Sequence, residues 1–293
     1  MARPAARLSG NVPGDFYVDD SCIDCAMCRY LAPRVFGRDD GIGLSVVERQ
    51  PGNAGELQRA GMALVSCPTS SIGSVSKTDL KEAVRALPEV MDGGVHFCGY
   101  ASEKSYGASS YFIVREAGNV LVDSPRAAKP LMDRIQALGG VALMFLSHRD
   151  DIADHEKYRE RFGCDRVLHG ADASPSLGIE RILEGQAEVR LGKDLLAIPL
   201  PGHTRGSMAL LYDDKFLFTG DHLWGDGDGT LGASRGVCWY SWTEQTKSME
   251  RLLDYSFEWV LPGHGEPLRA ESPQKMREKL EALIARMRKR TRD

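Results

Sequence analysis

The chain has 293 residues, 42% of them hydrophobic, and its 37 Lys and Arg against 41 Asp and Glu give a formal charge of -4. This length accommodates one large domain and a small one, and a slightly acidic balance supplies no basic field for nucleic acid or an acidic membrane surface. The apolar run VALMFLS at 141–147 is too short to span a bilayer. The opening MARPAARLSG lacks the apolar stretch of a secretory signal, so a cytoplasmic location is expected, with an organelle address as the alternative reading of that Arg-containing leader.

The first element with chemical content is CIDCAMC at 22–28, followed at a distance by Cys67 directly before Pro68. The chain holds seven cysteines, and three of them sit too close together for a disulfide framework, which points to metal in a reducing compartment. Three thiolates at intervals of three converge on one centre, and a distant fourth closes the cage. Zinc sites generally use two pairs of ligands, so a triple C-x2-C-x2-C with a later Cys-Pro suits iron and sulfide better. Cys98, Cys164 and Cys238 fall outside the pattern and are expected as small buried hydrophobes.

Next, SVSKTDLKEAVRALPEV places Leu80, Val84 and Leu87 at helical spacing with Pro88 near the stop, which predicts a connecting helix. The Gly- and Ser-rich stretch after it puts a domain boundary between about residues 75 and 95. Short β-rich runs follow. YFIVREAGNVLVDSP predicts two strands around the turn at 116–119, PLMDRIQALGG a helix ending at Gly139, VALMFLSH a buried strand and DHEKYRERFG a helix. DLLAIPL, MALLYDD, KFLFTGD and WVLPGH are further strands. WGDGDGTLG at 224–232 lacks the lysine and hydroxyl of a phosphate loop and reads as a flexible lid. CWYSW at 238–242 walls a pocket or packs in a core, and SPQKMREKLEALIARMRKRTRD is a capped amphipathic helix with a basic last turn.

Several of these strands end in residues able to bind metal. SHRDDIADH at 147–155 offers His148, Asp150, Asp151, Asp154 and His155; PGHTRGS adds His203, FTGDH adds Asp221 and LPGHGEP adds His264. Imidazole and carboxylate on several distant loops form a mixed N and O set suited to zinc, iron or manganese. One such residue alone is more often a turn or cap, and Asp154 has the place of a cap for the helix after it; the whole set is poorly explained that way.

Two resemblances carry these motifs further. From Asp15 to Gly73 the segment resembles bacterial-type ferredoxins, which implies one 4Fe-4S cluster held by Cys22, Cys25, Cys28 and Cys67, or a three-iron form if Cys25 is released on oxidation. The place of a second cluster's Cys-Pro reads Ala32-Pro33. Residues 95–268 resemble the metallo-β-lactamase superfamily, whose first motif is H-x-H-x-D-H. His148, Asp154, His155, His203, Asp221 and His264 match its ligand places in order, but the second His is missing and two extra residues precede Asp154-His155. Asp150 or Asp151 then replaces that imidazole. With Asp150 chosen, the resemblance implies His148, Asp150 and His203 around one ion, Asp154, His155 and His264 around another, and Asp221 bridging; Asp154 or a neighbouring carboxylate is expected to take the proton. One or two ions satisfy the pattern.

The fold class so implied is α+β, a small ferredoxin-like domain followed by a four-layered αββα metallo-β-lactamase-like domain. The expected divisions are 1–79 for the iron-sulfur domain with its tail, 80–94 for a linker helix and 95–293 for the second domain with its C-terminal helix. Two reactions fit. Ions that lower the pKa of a bound water give a hydrolase acting on an ester, thioester or related bond through metal-bound hydroxide, with the cluster for redox coupling or regulation. Iron in the same site gives instead an oxidoreductase fed by the ferredoxin domain, an alternative that the carboxylate at Asp150 and the cluster both favour. Hydrolysis is preferred because most of the superfamily hydrolyses and no flavin domain follows. The expected partners are a small-molecule substrate and, if the cluster passes electrons, a redox protein, with neither nucleic acid nor membrane.

Overall fold

The computed structural model describes residues 2–290. Its contacts divide the chain into two compact units, Met1–Ala142 with Ala153–Gly163, and Leu143–Ile152 with Cys164–Asp293. The cysteine segment therefore shares a unit with residues well beyond the boundary expected near 75–95.

In the first unit, β1 (Phe16–Val18) pairs antiparallel with β4 (Ile72–Ser74) and closes the small cysteine-bearing region. Between them lie α1 (Met27–Leu31), the hairpin β2 (Phe36–Asp39) and β3 (Leu44–Val47), and α2 (Ala54–Ser66). Asn53 caps α2 by accepting from Glu56 N–H at 3.0 Å, while the Glu56 carboxylate accepts from Gly52 N–H at 2.8 Å, so two otherwise orphaned donors are satisfied. The helix stops at Cys67-Pro68 because proline disfavours helical backbone before it. Phe16, Leu31, Phe36 and Met62 are almost wholly buried beneath these elements.

The expected connecting helix is short. Helix α3 covers Lys81–Arg85, and after Pro88 the chain extends as β5 (Glu89–Asp92) rather than continuing helically. Strands β5, β6 (Val95–Phe97), β7 (Tyr111–Ile113) and β8 (Val120–Val122) form an antiparallel meander, followed by α4 (Lys129–Ala137).

The second unit opens with β9 (Leu143–Phe145), and α5 (His155–Phe162) returns to the first unit. Strand β10 (Asp165–His169) pairs parallel with β9 and with β11 (Arg181–Leu183). A six-stranded sheet then comprises β12 (Val189–Arg190), β13 (Leu195–Pro199), β14 (Met208–Tyr212), β15 (Phe216–Gly220) and, beyond a small hairpin of β16 (Trp224–Gly225) and β17 (Leu231–Gly232), β18 (Trp259–Pro262) and β19 (Leu268–Arg269). Within it β15 and β18 run parallel and all other pairs antiparallel. Alternate residues Leu196 and Ile198 face a core completed by α6 (Trp242–Arg251) and α7 (Pro273–Arg290), which contribute Met249, Leu280 and Ile284. The end of the basic last turn, residues 291–293, lies outside the described residues.

The sheet direction places the site. Strands β13, β15 and β18 run the same way, so His203, Asp221 and His264 leave their C-terminal ends on one edge. The glycine-rich segment expected as a flexible lid is instead a hairpin tied to α7, where Lys279 Nζ donates to Gly229 O at 2.7 Å and Arg286 donates to Leu231 O.

Candidate metal centre

Among the described residues, two groups bring ligand atoms within 4.8 Å of one another: His148, His203 and Asp221, and Asp151, Asp221 and His264. Asp221 is common to both. Its Oδ2 lies 3.6 Å from His148 Nε2, 3.6 Å from His203 Nε2 and 3.8 Å from His264 Nε2, and Asp150 Oδ2 lies 3.5 Å from His203 Nε2. Two ligands each about 2.1 Å from an ion at a roughly tetrahedral angle stand about 3.4 Å apart, whereas direct hydrogen bonds are shorter. His203 Nε2 and Asp221 Oδ1 are buried without a hydrogen bond, which is costly unless a cation takes their lone pairs. The donor set therefore fits one or two divalent ions.

Local geometry aims these groups. Val237 O sits 2.6 Å from His203 Nδ1, leaving Nε2 toward the carboxylates, and Ser147 Oγ lies 2.9 Å from His148 Nδ1. Gly220 adopts φ +51, and Gly263 N–H donates to its carbonyl at 2.8 Å. A Cβ on Gly263 would stand 2.7 Å from both Asp151 Oδ2 and Asp221 Oδ1, so only glycine leaves room for the two carboxylates. Burial opposes ionisation of Asp221, but His264, His148 and His203 outweigh it and hold the carboxyl far below the usual range. Asp150 is likewise held low, chiefly by its interaction with His203. Burial, aided by the neighbouring His203 and His148, pushes His222 down to about 3, and it stays neutral beside the ligands.

The expected residues part company at the 148–155 turn. Asp150 faces His148 and His203, and Asp151, weighed from sequence as a solvated residue, is buried at 1% exposure with Asp221 and His264. Asp154 belongs to neither group. It precedes α5 in the left-handed region, accepts from Ala127 N–H at 3.0 Å and pairs with Lys157 Nζ at 2.9 Å. His155 is the buried first residue of α5 and also belongs to neither group. His169 is satisfied by Gly185 O and Ala171 N–H, and His96 by Gly94 O.

Sequence reasoning passed over Asp172. This buried carboxylate lies three residues past β10 and joins two ligand loops: Oδ1 accepts from Gly206 N–H at 2.9 Å, and Oδ2 accepts from Thr204 Oγ1 at 2.5 Å and Arg149 N–H at 3.2 Å. HGADAS carries no ligand spacing, and the one available signal was an acid just past a strand whose neighbours also end in ligands.

In the other unit, Cys22, Cys25, Cys28 and Cys67 line one cavity with Ile23 and Pro68. Asp24 and Ala26 adopt left-handed backbone between the cysteines, and Ser71 N–H donates to Cys67 Sγ at 3.3 Å. Burial pushes the Cys25 and Cys28 thiols up to about 12, so thiolates gather here only with cations to balance them. Four converging thiols with an N–H donor to sulfur fit an iron-sulfur cluster.

Comparisons with known proteins agree with both centres. Residues 18–74 match the family described as the 4Fe-4S single cluster domain of Ferredoxin I, and residues 139–264 match the metallo-beta-lactamase superfamily. Hydroxyacylglutathione hydrolase of Shewanella pealeana is 30% identical over 138 residues, 45% of this chain and 49% of that protein. That of Anaeromyxobacter dehalogenans is 35% identical over 138 residues, 43% of this chain and 51% of that protein. The chain thus spans about half the length of the curated relatives it matches. The crystal structure of the BLEG-1 B3 metallo-beta-lactamase is similar with a TM-score of 0.52 at 17% identity, over 64% of this chain and 99% of that one. This likeness shows the fold alone, an α/β domain with two mixed sheets.

Proposed function

The chain carries a metallo-β-lactamase superfamily domain behind a 4Fe-4S single-cluster ferredoxin domain, and from that premise we propose a metal-dependent hydrolase of an ester, thioester or related bond. The observation that carries the reading is the pair of groups sharing Asp221, three imidazoles and acidic side chains whose buried lone pairs face one another. His148, Asp150 and His203 would hold one ion, Asp151 and His264 a second, and Asp221 both. Divalent ions held there make a water nucleophilic near neutral pH and polarise a carbonyl. The chain's own residues orient and neutralise: the carboxylates of Asp150 and Asp221 enter ionised, and Val237 O and Ser147 Oγ hold the imidazoles in place. With half of each curated relative covered, the hydroxyacyl thioester of those enzymes is one candidate substrate within the class.

A second reading rests on ligand chemistry. Asp150 supplies a carboxylate where the superfamily motif has imidazole, a harder set that suits iron, and a cluster in the same chain can supply electrons. One experiment separates the two. Zinc-loaded, cluster-containing protein is assayed on S-lactoylglutathione and simple acyl thioesters with the cluster oxidised and then reduced. Hydrolysis that needs zinc and is present in both cluster states supports the hydrolase. Inactivity with zinc, together with electron transfer from the reduced cluster to iron in the second site, supports the oxidoreductase.

A further inference from the structure

Three large apolar side chains stay exposed within four positions of one another at 237–240: Val237 at 40%, Trp239 at 61% and Tyr240 at 50%. The other large exposed apolar residues among those described are scattered singly along the chain, which is ordinary, whereas three of them close together beside a ligand loop point to a binding surface. The segment is fixed rather than loose. Trp239 and Tyr240 N–H both donate to His203 O, at 2.9 and 3.0 Å, Ser241 N–H donates to Gly202 O at 3.0 Å, and Trp242, the next ring, is buried in the core. The Trp239 ring centroid lies 6.1 Å from that of His203 with the planes tilted at 60°. Backbone hydrogen bonds and the Cys238 thiol, which donates to Gly202 O at 3.2 Å, already tie this segment to the ligand loop, so positioning His203 does not require the Trp239 ring to stand in water.

We propose that Trp239, flanked by the exposed Val237 and Tyr240, forms an apolar rim that selects substrates whose acyl group is flat and apolar, with the acyl carbonyl at the cations beside His203. The inference rests on the hydrolase reading for its substrate, and the occupant follows from adjacency: the exposed Trp239 ring stands beside the His203 ring, and aromatic groups gain from offset or edge-to-face packing on an indole.

The test uses the whole zinc-loaded, cluster-containing protein, its Trp239→Ala and Trp239→Phe variants, and the benzoyl and acetyl thioesters of N-acetylcysteamine. For Trp239→Ala the benzoyl-to-acetyl ratio of kcat/KM falls about tenfold, mostly through KM, and Trp239→Phe restores most of it. Binding of benzoate and acetate, measured by calorimetry without turnover, follows the same order: wild type prefers benzoate and Trp239→Ala loses the preference. An unchanged ratio with unchanged benzoate preference overturns the proposal, as does loss of zinc in Trp239→Ala, which would make the ring a brace for His203. If neither thioester is cleaved while Trp239 still governs benzoate binding, the hydrolase reading fails and the rim stands.

Discussion

At the 148–155 turn, two aspartates three positions apart have opposite surroundings. Asp151 is buried opposite Asp221 and His264, while Asp154 is already neutralised by Lys157 and by Ala127 N–H. Asp151→Ala should therefore lower the content of bound divalent ion by elemental analysis, whereas Asp154→Ala should keep it and lose about 1 kcal/mol of stability in a denaturant titration, from the lost hydrogen bond with Ala127 N–H and the ion pair with the exposed Lys157. Asp172→Ala removes the carboxylate that joins the Arg149 and Gly206 backbone N–H groups and the Thr204 hydroxyl, and zinc affinity measured against a chromophoric chelator should weaken tenfold to a hundredfold, roughly the effect of losing a group that orients ligands. These three positions also mark the limit of the sequence. His148, His203, Asp221 and His264 were legible because each follows an apolar run that ends in a polar loop. The choice among Asp150, Asp151 and Asp154 was not, since an inserted loop changes which side chain points inward without changing residue type, and Asp172 acts through hydrogen bonds that no spacing encodes.

Among the elements, Arg166 on strand β10 pairs with Glu180 just before β11, a contact that the periodicity of the apolar residues does not reveal. The exposed Glu180 accepts from Arg166 at 2.8 and 3.0 Å and from its N–H at 2.9 Å, and these bonds, chiefly those from the guanidinium, hold its carboxyl at about 2 against an ordinary 4.5. A carboxyl with a depressed folded-state pKa adds stability that is complete above the unfolded value and disappears as the pH falls through the folded one. Unfolding free energy should thus decline from about pH 4.5 toward pH 2, and Glu180→Gln should flatten this slope and cost about 1 kcal/mol at neutral pH, because solvent screens the pair on the Glu180 side and Arg166 keeps its bond to Gly178 O. The C-terminal helix was readable from its amphipathic spacing, and Leu283→Ala should cost about 2–4 kcal/mol because its side chain fills the core shared with α6 and the sheet. The glycine-rich hairpin reads as a lid from composition, which reports turns but not the Lys279 and Arg286 contacts that fasten them.

For the molecule as a whole, the cysteine spacing and the strand-end ligands announced two inorganic centres, and both family matches fall on the segments that carry them. Compact units were less legible: residues 153–163 pack with the N-terminal unit although the sequence places them inside the second family match, because packing partners depend on contacts distant along the chain. The account stands on the second centre being a true cation site independent of the cluster. Iron, zinc, manganese and acid-labile sulfide are therefore measured on anaerobically purified wild-type protein and on the His203→Ala, Asp221→Ala double variant. Both should contain about four iron and four sulfide per chain, and the wild type alone should contain one or two further divalent ions. Wild-type protein with no ion beyond the sulfide-linked iron, or a double variant with an unchanged ion content, would contradict it.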